Sequence, residues 1–347
     1  MTVKPVRQHL RFWTSLLLGC ALAPLWAQSG KFPDGPIKMI VPFAPGGGVD
    51  TAGRLIAKHM QSRLGVSVVV ENRAGANGSV GGKVVQTAAA DGQTLLFSGA
   101  THVLAKQVMS KAPYDPVTDF APVARVGEAP LLLVISPNLP EQKLSEVLNS
   151  ARQNPDKWTA ALPAMGAPSH LATLLLAQKS NLKITTVPYK GTAPALVDIA
   201  GGHSQILMDS IIALLPMAKT GKVKPIVTTS AKRSAIAPDI PTAAESGVPG
   251  LVYTSWYGIW APLGTPADRV QMLNAAINES VNELNKSGAF AAQPAQIGWV
   301  CRIASHTCDL RPFGLNDDTA THATVRASRT RFFHGLKLLT AVTRLPA

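Results

Sequence analysis

Glycine-rich loops that open into helices are the residues of this chain best suited to chemistry, and the chemistry is the binding of an anion. In Lys38-Met-Ile-Val-Pro-Phe-Ala-Pro-Gly-Gly-Gly-Val-Asp50 an apolar run leads into Gly46, Gly47 and Gly48. Val49, Ala52, Leu55, Ile56, Met60 and Leu64 then share one helical face. A helix start carries unpaired N–H groups and a partial positive charge, so it suits an anion. The loop lacks the Lys-Ser/Thr ending of a phosphate-binding P-loop and the spacing of a dinucleotide fingerprint. A carboxylate is therefore the better ligand than a nucleotide. An ordinary strand-to-helix turn fits the same pattern.

Two further loops repeat the theme. Glu71-Asn-Arg-Ala-Gly-Ala-Asn-Gly-Ser-Val-Gly-Gly82 follows one strand and precedes a helical run over 83–90, with Ala76, Asn77 and Ser79 as candidate contacts or as part of a plain surface turn. Leu162-Pro-Ala-Met-Gly-Ala-Pro-Ser-His170 leads into a helix over 171–177. The backbone of Ala164, Met165 and Gly166 can face a ligand there, beside Ser169 and His170, and Ser169 reads first as the cap of that helix. Asp50 complements the helix dipole, with fixing of the loop or contact with a ligand ammonium as the alternative. Asp209 ends a strand and either meets a ligand or caps the next helix. Lys190 is either solvated or a charge for a dianion. Trp256 and Trp260 read as hinge packing ahead of a stacking platform.

Catalysis and metal binding find little support. His59, His102, His170 and His203 have no paired ligand spacing. Ser169 and His170 are adjacent and form no nucleophile–base pair, and no G-x-S-x-G elbow is present. No catalytic residue, metal or cofactor is implied.

The elements that must position these loops alternate between short apolar runs and helical patterns, which implies α/β units on largely parallel sheets. Strands are expected over 37–43, 66–71, 94–98, 131–136, 159–162, 184–189, 205–209 and 225–229. One helix starts at Thr192 as N-cap and stops at Gly201. Another runs from Thr265-Pro266 to about Lys286, with Val270, Leu273, Ile277, Val281 and Leu284 on one face and Gly288 as its end. Stretches 125–131 and 254–262 read as two crossings between lobes, with a ligand cleft between them.

The chain has 347 residues, 46% hydrophobic and 15% charged, enough for two domains with large cores. Lys4, Arg7 and Arg11 precede an apolar segment over 12–23, and Leu25-Trp-Ala27 offers a cleavage site. Residues 1–27 therefore read as an export signal, with a lipoprotein site at Cys20 as the alternative. The net charge of +13 is uneven. Residues 1–27 hold three positives, residues 301–347 hold seven positives and three acids, and +6 remains for residues 28–300. That surplus forms no basic stripe with interleaved aromatics, which argues against nucleic-acid binding. Cys20 lies in the signal, and Cys301 and Cys308 lie at the far end, so residues 28–300 fold without a disulfide.

Several segments together resemble one family. Val41-Pro-Phe-Ala-Pro-Gly-Gly-Gly-Val-Asp50 and Val70-Glu-Asn-Arg-Ala-Gly-Ala-Asn-Gly78 resemble its first two motifs. Val187-Pro-Tyr-Lys-Gly191, Pro238-Asp-Ile-Pro-Thr-Ala-Ala-Glu-Ser-Gly247 and Trp256-Tyr-Gly-Ile-Trp-Ala-Pro262 resemble later ones. These are the periplasmic substrate-binding proteins of tripartite tricarboxylate transporters, the Bug family, and the resemblance covers residues 32–292. It implies an α/β, two-lobed periplasmic-binding-protein (type II) fold, mostly of parallel sheets, that closes on a small carboxylate. It implies a monomer in the periplasm that delivers its ligand to a membrane permease. The carboxylate would be held by backbone groups and ordered waters at Phe43, Ala44, Pro45, Gly46 and Gly47, at Ala76 and Asn77, at Ala164, Met165 and Gly166, and near Asp209. An exported hydrolase reusing the cleft, or a ligand-sensing partner, is the alternative. The expected order is signal 1–27, first lobe 28–128, second lobe 129–256 and a return to the first lobe over 257–292.

The resemblance stops near residue 293, where the text becomes Trp299-Val-Cys-Arg-Ile-Ala-Ser-His-Thr-Cys308. Lys outnumbers Arg 16 to 7 over residues 28–300, whereas residues 301–347 hold one Lys, six Arg and no Glu. Residues 293–347 thus read as an aberrant tail, from a shifted reading frame or as a divergent extension. Loss of the family's last helix is expected to leave an apolar face of the first lobe uncovered.

Overall fold

A computed structural model describes residues 32–286, together with the short strands Arg302–Ala304 and Thr307–Asp309, which pair antiparallel with Ile303 opposite Cys308. The export signal, Cys20, Cys301, Gly288 and the rest of the 293–347 tail lie outside the described residues.

Nine strands build the main sheet: β1 (Ile37–Val41), β2 (Val68–Asn72), β3 (Thr94–Gly99), β4 (Phe120–Ile135), β5 (Thr159–Leu162), β6 (Thr185–Pro188), β7 (Ile206–Ser210), β8 (Lys224–Thr228) and β9 (Thr254–Pro262). Their order is β2-β1-β3-β9-β4-β7-β5-β6, with β8 also on β4. The helices are α1 (Gly48–Leu64), α2 (Ser79–Gln86), α3 (Ala100–Val103), α4 (Ala105–Val108), α5 (Leu144–Gln153), α6 (Pro168–Ser180), α7 (Thr192–Gly201), α8 (Ile211–Lys219) and α9 (Ala267–Lys286). No helix among the described residues is long and apolar enough to cross a membrane.

The sheet is parallel towards its two ends and antiparallel in the middle. β1 pairs parallel with β2 and β3, and β5 with β6 and β7. β9 lies antiparallel between β3 and β4, and β4 runs antiparallel to β7 and β8. The antiparallel centre arises because β4 and β9 carry the chain between the two halves. The stretch read as a crossing over 125–131 is in fact interior to β4, a single strand of 16 residues. Its first part pairs with β9 from Phe120 opposite Pro262 to Pro130 opposite Thr254. Its last part, from Leu131, pairs with β7. β4 runs through Gly127 and Pro130, with register shifts beside Pro122 and Gly127 that absorb the irregularity as bulges.

The parallel strands are buried on both faces, which explains their near-continuous apolar runs. Ile37, Met39 and Val41 of β1 pack in one core with Ile56 and Met60 of α1 and Leu273 and Ile277 of α9. Ile40 points into a second cluster with Val85, Leu96, Tyr114 and Trp260. The first-lobe sheet is thus covered on both faces, contrary to the expected bare face. Apolar exposure on it is confined to the edge strand, where Val69 is 48% exposed. The other half has its own core of Leu131, Leu133, Val147, Trp158 and Leu176.

The first glycine loop is held by an acid one turn into α1. Asp50 accepts hydrogen bonds from Gly46 N–H (2.9 Å), Arg54 Nε (3.0 Å) and Asn72 Nδ2 (2.8 Å). Asn72 also donates to the Phe43 carbonyl at 3.0 Å. Gly46 takes a φ of +84°, a conformation that glycine adopts without steric cost. Fixing the loop is therefore what Asp50 does. Burial works to raise its pKa, but the hydrogen bonds and charge of its three partners outweigh burial and hold it below the usual value of 3.8. A carboxyl with a depressed folded pKa stabilises the fold above its unfolded value and loses that contribution as pH falls through the folded one. Asp50→Asn should cost about 1.5–3 kcal/mol at pH 7, the usual worth of a hydrogen bond to a charged group. In urea unfolding at a series of pH values, the gap to wild type should close below about pH 4. A gap independent of pH would contradict the ionised clamp.

Candidate functional site

Four helices of nine or more residues start at one cavity. It is lined by Gly47, Gly48 and Val49 at the start of α1, by Ala167, Pro168 and Ser169 at the start of α6, by Gly191 and Thr192 at the start of α7, and by Ser210 before α8. Phe43, Gly99, Ala100, Thr101, Ala164, Asp209, Ser255 and Tyr257 complete most of the wall. The empty volume is about 500 Å³, part of it open to solvent.

The local sequence explains why the helix ends stay open. The N-caps of α1, α6 and α7 are Gly47, Ala167 and Gly191, none of which makes a side-chain cap. The first intrahelical bonds of α1 and α6 are Thr51 N–H to Gly47 O and Leu171 N–H to Ala167 O. The N–H groups of Gly48, Val49, Ser169 and His170 therefore have no acceptor within their own helices. Pro168 opens α6 at the position where a missing N–H costs least. Gly191 has a φ of +138°, and a Cβ there would lie 3.1 Å from the Ala44 nitrogen, so a side chain is excluded by both conformation and contact.

Among the described residues the cavity wall holds no Lys or Arg, and Asp209 and Tyr257 are its ionisable residues. Thr192 Oγ1 donates to Asp209 Oδ2 at 2.5 Å. Loss of water raises the Asp209 pKa, and the bonds from Thr192 and the Ser210 N–H oppose the rise without cancelling it. Tyr257 is buried, donates its hydroxyl to Ser210 Oγ at 2.8 Å and is likewise shifted upward by burial. Ser169 is 1% exposed, and its Oγ is buried with no hydrogen-bond partner. This unpaired hydroxyl stands in the cavity wall beside N–H groups without intrahelical acceptors, an exception to the pairing of buried polar groups.

Five of the thirteen residues singled out in the sequence line this cavity: Phe43, Gly47, Ala164, Ser169 and Asp209. The other eight lie off its wall. Gly46 spends its N–H on Asp50, so it does not supply the donor expected of it. Gly166 N–H donates to His170 Nδ1 at 3.0 Å, which occupies both residues with each other. Met165 N–H donates to Asn77 Oδ1 at 3.2 Å, and Ala44 N–H to Lys190 O at 3.4 Å. Those bonds join loops far apart in sequence. Ala76, next to Asn77 in a one-turn helix, and Pro45 also stay outside the wall.

Ser169 does not cap α6, since it stands inside the helix and Ala167 holds the N-cap. Thr192 does not cap α7, since Gly191 precedes it and its hydroxyl turns to Asp209. Ser210 caps α8, accepting from Ile212 N–H, so Asp209 is free to face the cavity. Tyr257, Ser210, Thr101 and Ser255 were missed. Strand alternation could have found Tyr257, because Trp256 and Trp260 pack on the opposite face of β9. Among the described residues no group of three His, Cys, Asp or Glu is placed to hold a metal ion.

Comparison with known proteins follows the same lines. "Protein BugT" of Bordetella pertussis (strain Tohama I) is 38% identical over 275 residues, covering 79% of this chain and 84% of that protein. The solved structure of periplasmic binding protein BugD matches with a TM-score of 0.69 at 35% identity, over 72% of this chain and 83% of that one. MatC from Rhodopseudomonas palustris, solved with bound malate, matches with a TM-score of 0.71 at 35% identity, over 76% of this chain and 91% of that one. The family described as "Tripartite tricarboxylate transporter family receptor" matches residues 52–292. The chain therefore belongs to the tripartite tricarboxylate transporter receptors and has their two-lobed periplasmic-binding-protein fold.

Proposed function

We propose that this receptor encloses one small carboxylate between its lobes in the periplasm and hands it, as a monomer, to a membrane permease of the tripartite tricarboxylate type. The observation that carries the reading is the convergence of four helix starts on a cavity without a basic side chain in its wall. Each helix start brings about half a positive charge, and the uncapped starts of α1, α6 and α7 add N–H donors, a fitting partner for a carboxylate. Malate bound in MatC is a carboxylate of the expected size in a relative of the same fold.

In this reading Gly47, Gly48 and Val49 offer one set of N–H groups and Ser169 offers both its N–H and its hydroxyl. Phe43 and Ala164 shape the wall. Ala44, Pro45, Gly46, Ala76, Asn77, Met165, Gly166 and His170 form or brace the lips rather than touch the ligand. The lobes comprise 28–128 with 257–292 and 129–256, and they move about β4 and β9. The loop bonds from Met165 to Asn77 and from Ala44 to Lys190 then belong to the closed state.

Gly47 offers a direct test. A Cβ on it would sit 2.9 Å from Thr192 Oγ1, across the cleft. Gly47→Val should stay folded and bind L-malate or succinate more than tenfold weaker, since the added side chain displaces the α1 start from the ligand and each hydrogen bond to a charged group lost that way is worth about 1.5–3 kcal/mol. Unchanged affinity by calorimetry would remove the α1 start from the site. Small-angle scattering addresses closure separately: a saturating ligand should compact the particle, because a ligand that touches both lobes favours the closed state. Superimposable profiles with and without ligand would rule the hinge out.

A further inference from the structure

An acid in the wall of an anion site calls for an explanation. We propose that Asp209 meets the ligand as a neutral carboxylic acid, donating its proton in a hydrogen bond to a ligand carboxylate oxygen, so that each anion is captured together with one proton. The inference rests on the carboxylate reading of the cavity given above.

Geometry supports it from three sides. Asp209 lines the cavity beside Thr192 and Ser210, and the wall holds no cation that could neutralise an ionised Asp209. An ionised Asp209 and a bound carboxylate would be two like charges in one poorly hydrated space, and such pairs bind a shared proton. The rest of the wall offers neutral donors, the helix N–H groups and the unpartnered Ser169 Oγ, which suit one negative charge. Thr192 Oγ1 fixes the carboxyl through Oδ2, so a proton on the group has a defined direction. Burial pushes the same carboxyl upward.

Ionisable groups on the surrounding elements do not supply the missing charge. On β9, Tyr257 lines the cavity as a neutral phenol bonded to Ser210. On α6, His170 Nδ1 accepts the Gly166 N–H, and Lys179 lies in the last turn. On α7, Asp198 accepts the Tyr189 hydroxyl at 2.6 Å. On α8, Lys219 is in the last turn, away from the cavity end. On α1, Asp50 is clamped by Arg54. Lys190, before Gly191, is exposed. On β4 and β5 the neighbours of β7 are apolar, with Leu132 opposite Asp209.

The proton balance is simple. At neutral pH the ligand-free protein holds Asp209 ionised, at a cost in stability because burial raises its pKa above the usual value of 3.8. Closure on the anion draws one proton from solvent onto the Asp209 carboxyl, and release returns it. Calorimetry of the full chain with L-malate and with succinate, in phosphate and in Tris, counts that proton through the buffer heat. About one proton per ligand is expected, with affinity falling up to about tenfold per pH unit between pH 7 and 8. Asp209→Asn, which keeps a neutral donor but cannot titrate, should take up no proton and show no pH slope. Proton uptake that persists in Asp209→Asn would place the proton on the ligand and overturn the assignment. Zero uptake in wild type would also overturn it, whether Asp209→Asn binds normally or has lost the ligand. Failure of wild type to bind either acid would instead strike the carboxylate reading itself, and this inference with it.

A measurement without ligand tests the same carboxyl. A raised folded pKa gives stability that is present below the unfolded value and is lost as pH rises through the folded one. Asp209→Asn should therefore melt above wild type at pH 8, with the difference shrinking towards pH 4. Parallel melting curves at all pH values would contradict a carboxyl that resists ionisation.

Discussion

A negative charge taken out of water must be balanced by something already in place. Here the wall of the cavity offers no lysine or arginine among the described residues. In the proposed reading the balance falls to backbone, above all to the starts of α1, α6 and α7, which carry no side-chain cap. Many other features follow from that demand. The helices that start at the cavity each follow a strand of the one sheet: β1 leads into α1, β5 into α6, β6 into α7 and β7 into α8. Glycines occupy the N-caps of α1 and α7 because the two loops approach each other, with Gly47 facing Thr192 and Gly191 facing Ala44. Backbone-based recognition also explains how one fold could serve different small acids, since most of its donors are independent of side-chain identity.

The same demand shapes the surroundings. Asp50 does not contribute charge to the ligand; it spends its charge on Gly46, Arg54 and Asn72 and so freezes the loop that carries Gly47 and Gly48. A mobile loop would have to be ordered on binding, at a cost in entropy that would weaken capture. The buried Tyr257–Ser210 bond fixes the opposite side in the same manner. The chain passes between the two halves of the sheet in two long strands, β4 and β9, rather than in loops.

The glycine loop, its helix and the anion chemistry were legible in the sequence because glycine before an amphipathic pattern has few other uses. Most strand positions were legible for the same reason of periodicity, but 254–262, read as a crossing, is the strand β9, and β4 begins at Phe120 rather than near Leu131. What could not be read was which groups were already spent. Gly46 and Gly166 look like free donors in the sequence, yet Asp50 and His170, each four residues on, consume their N–H groups. Thr192 and Ser169 stand beside helix starts and look like caps, but the caps are Gly191 and Ala167, one and two residues earlier, which frees both hydroxyls for the cavity side. Local statistics favour a cap at such positions; tertiary placement overrode them. The continuity of β4 was hidden by Gly127 and Pro130, because a bulge and an edge pair can absorb residues that usually end a strand. Tyr257 was overshadowed by two tryptophans that face the other way.

The central claim is that backbone at helix starts, and not a basic side chain, holds the ligand carboxylate. A crystal structure of the full chain grown with L-malate tests it most directly. A carboxylate oxygen within about 3 Å of the Gly48 or Val49 nitrogen, with Ser169 Oγ as a further donor, is the predicted result. A malate whose carboxylates are both held by lysine or arginine side chains, or one bound away from these helix starts, would contradict it.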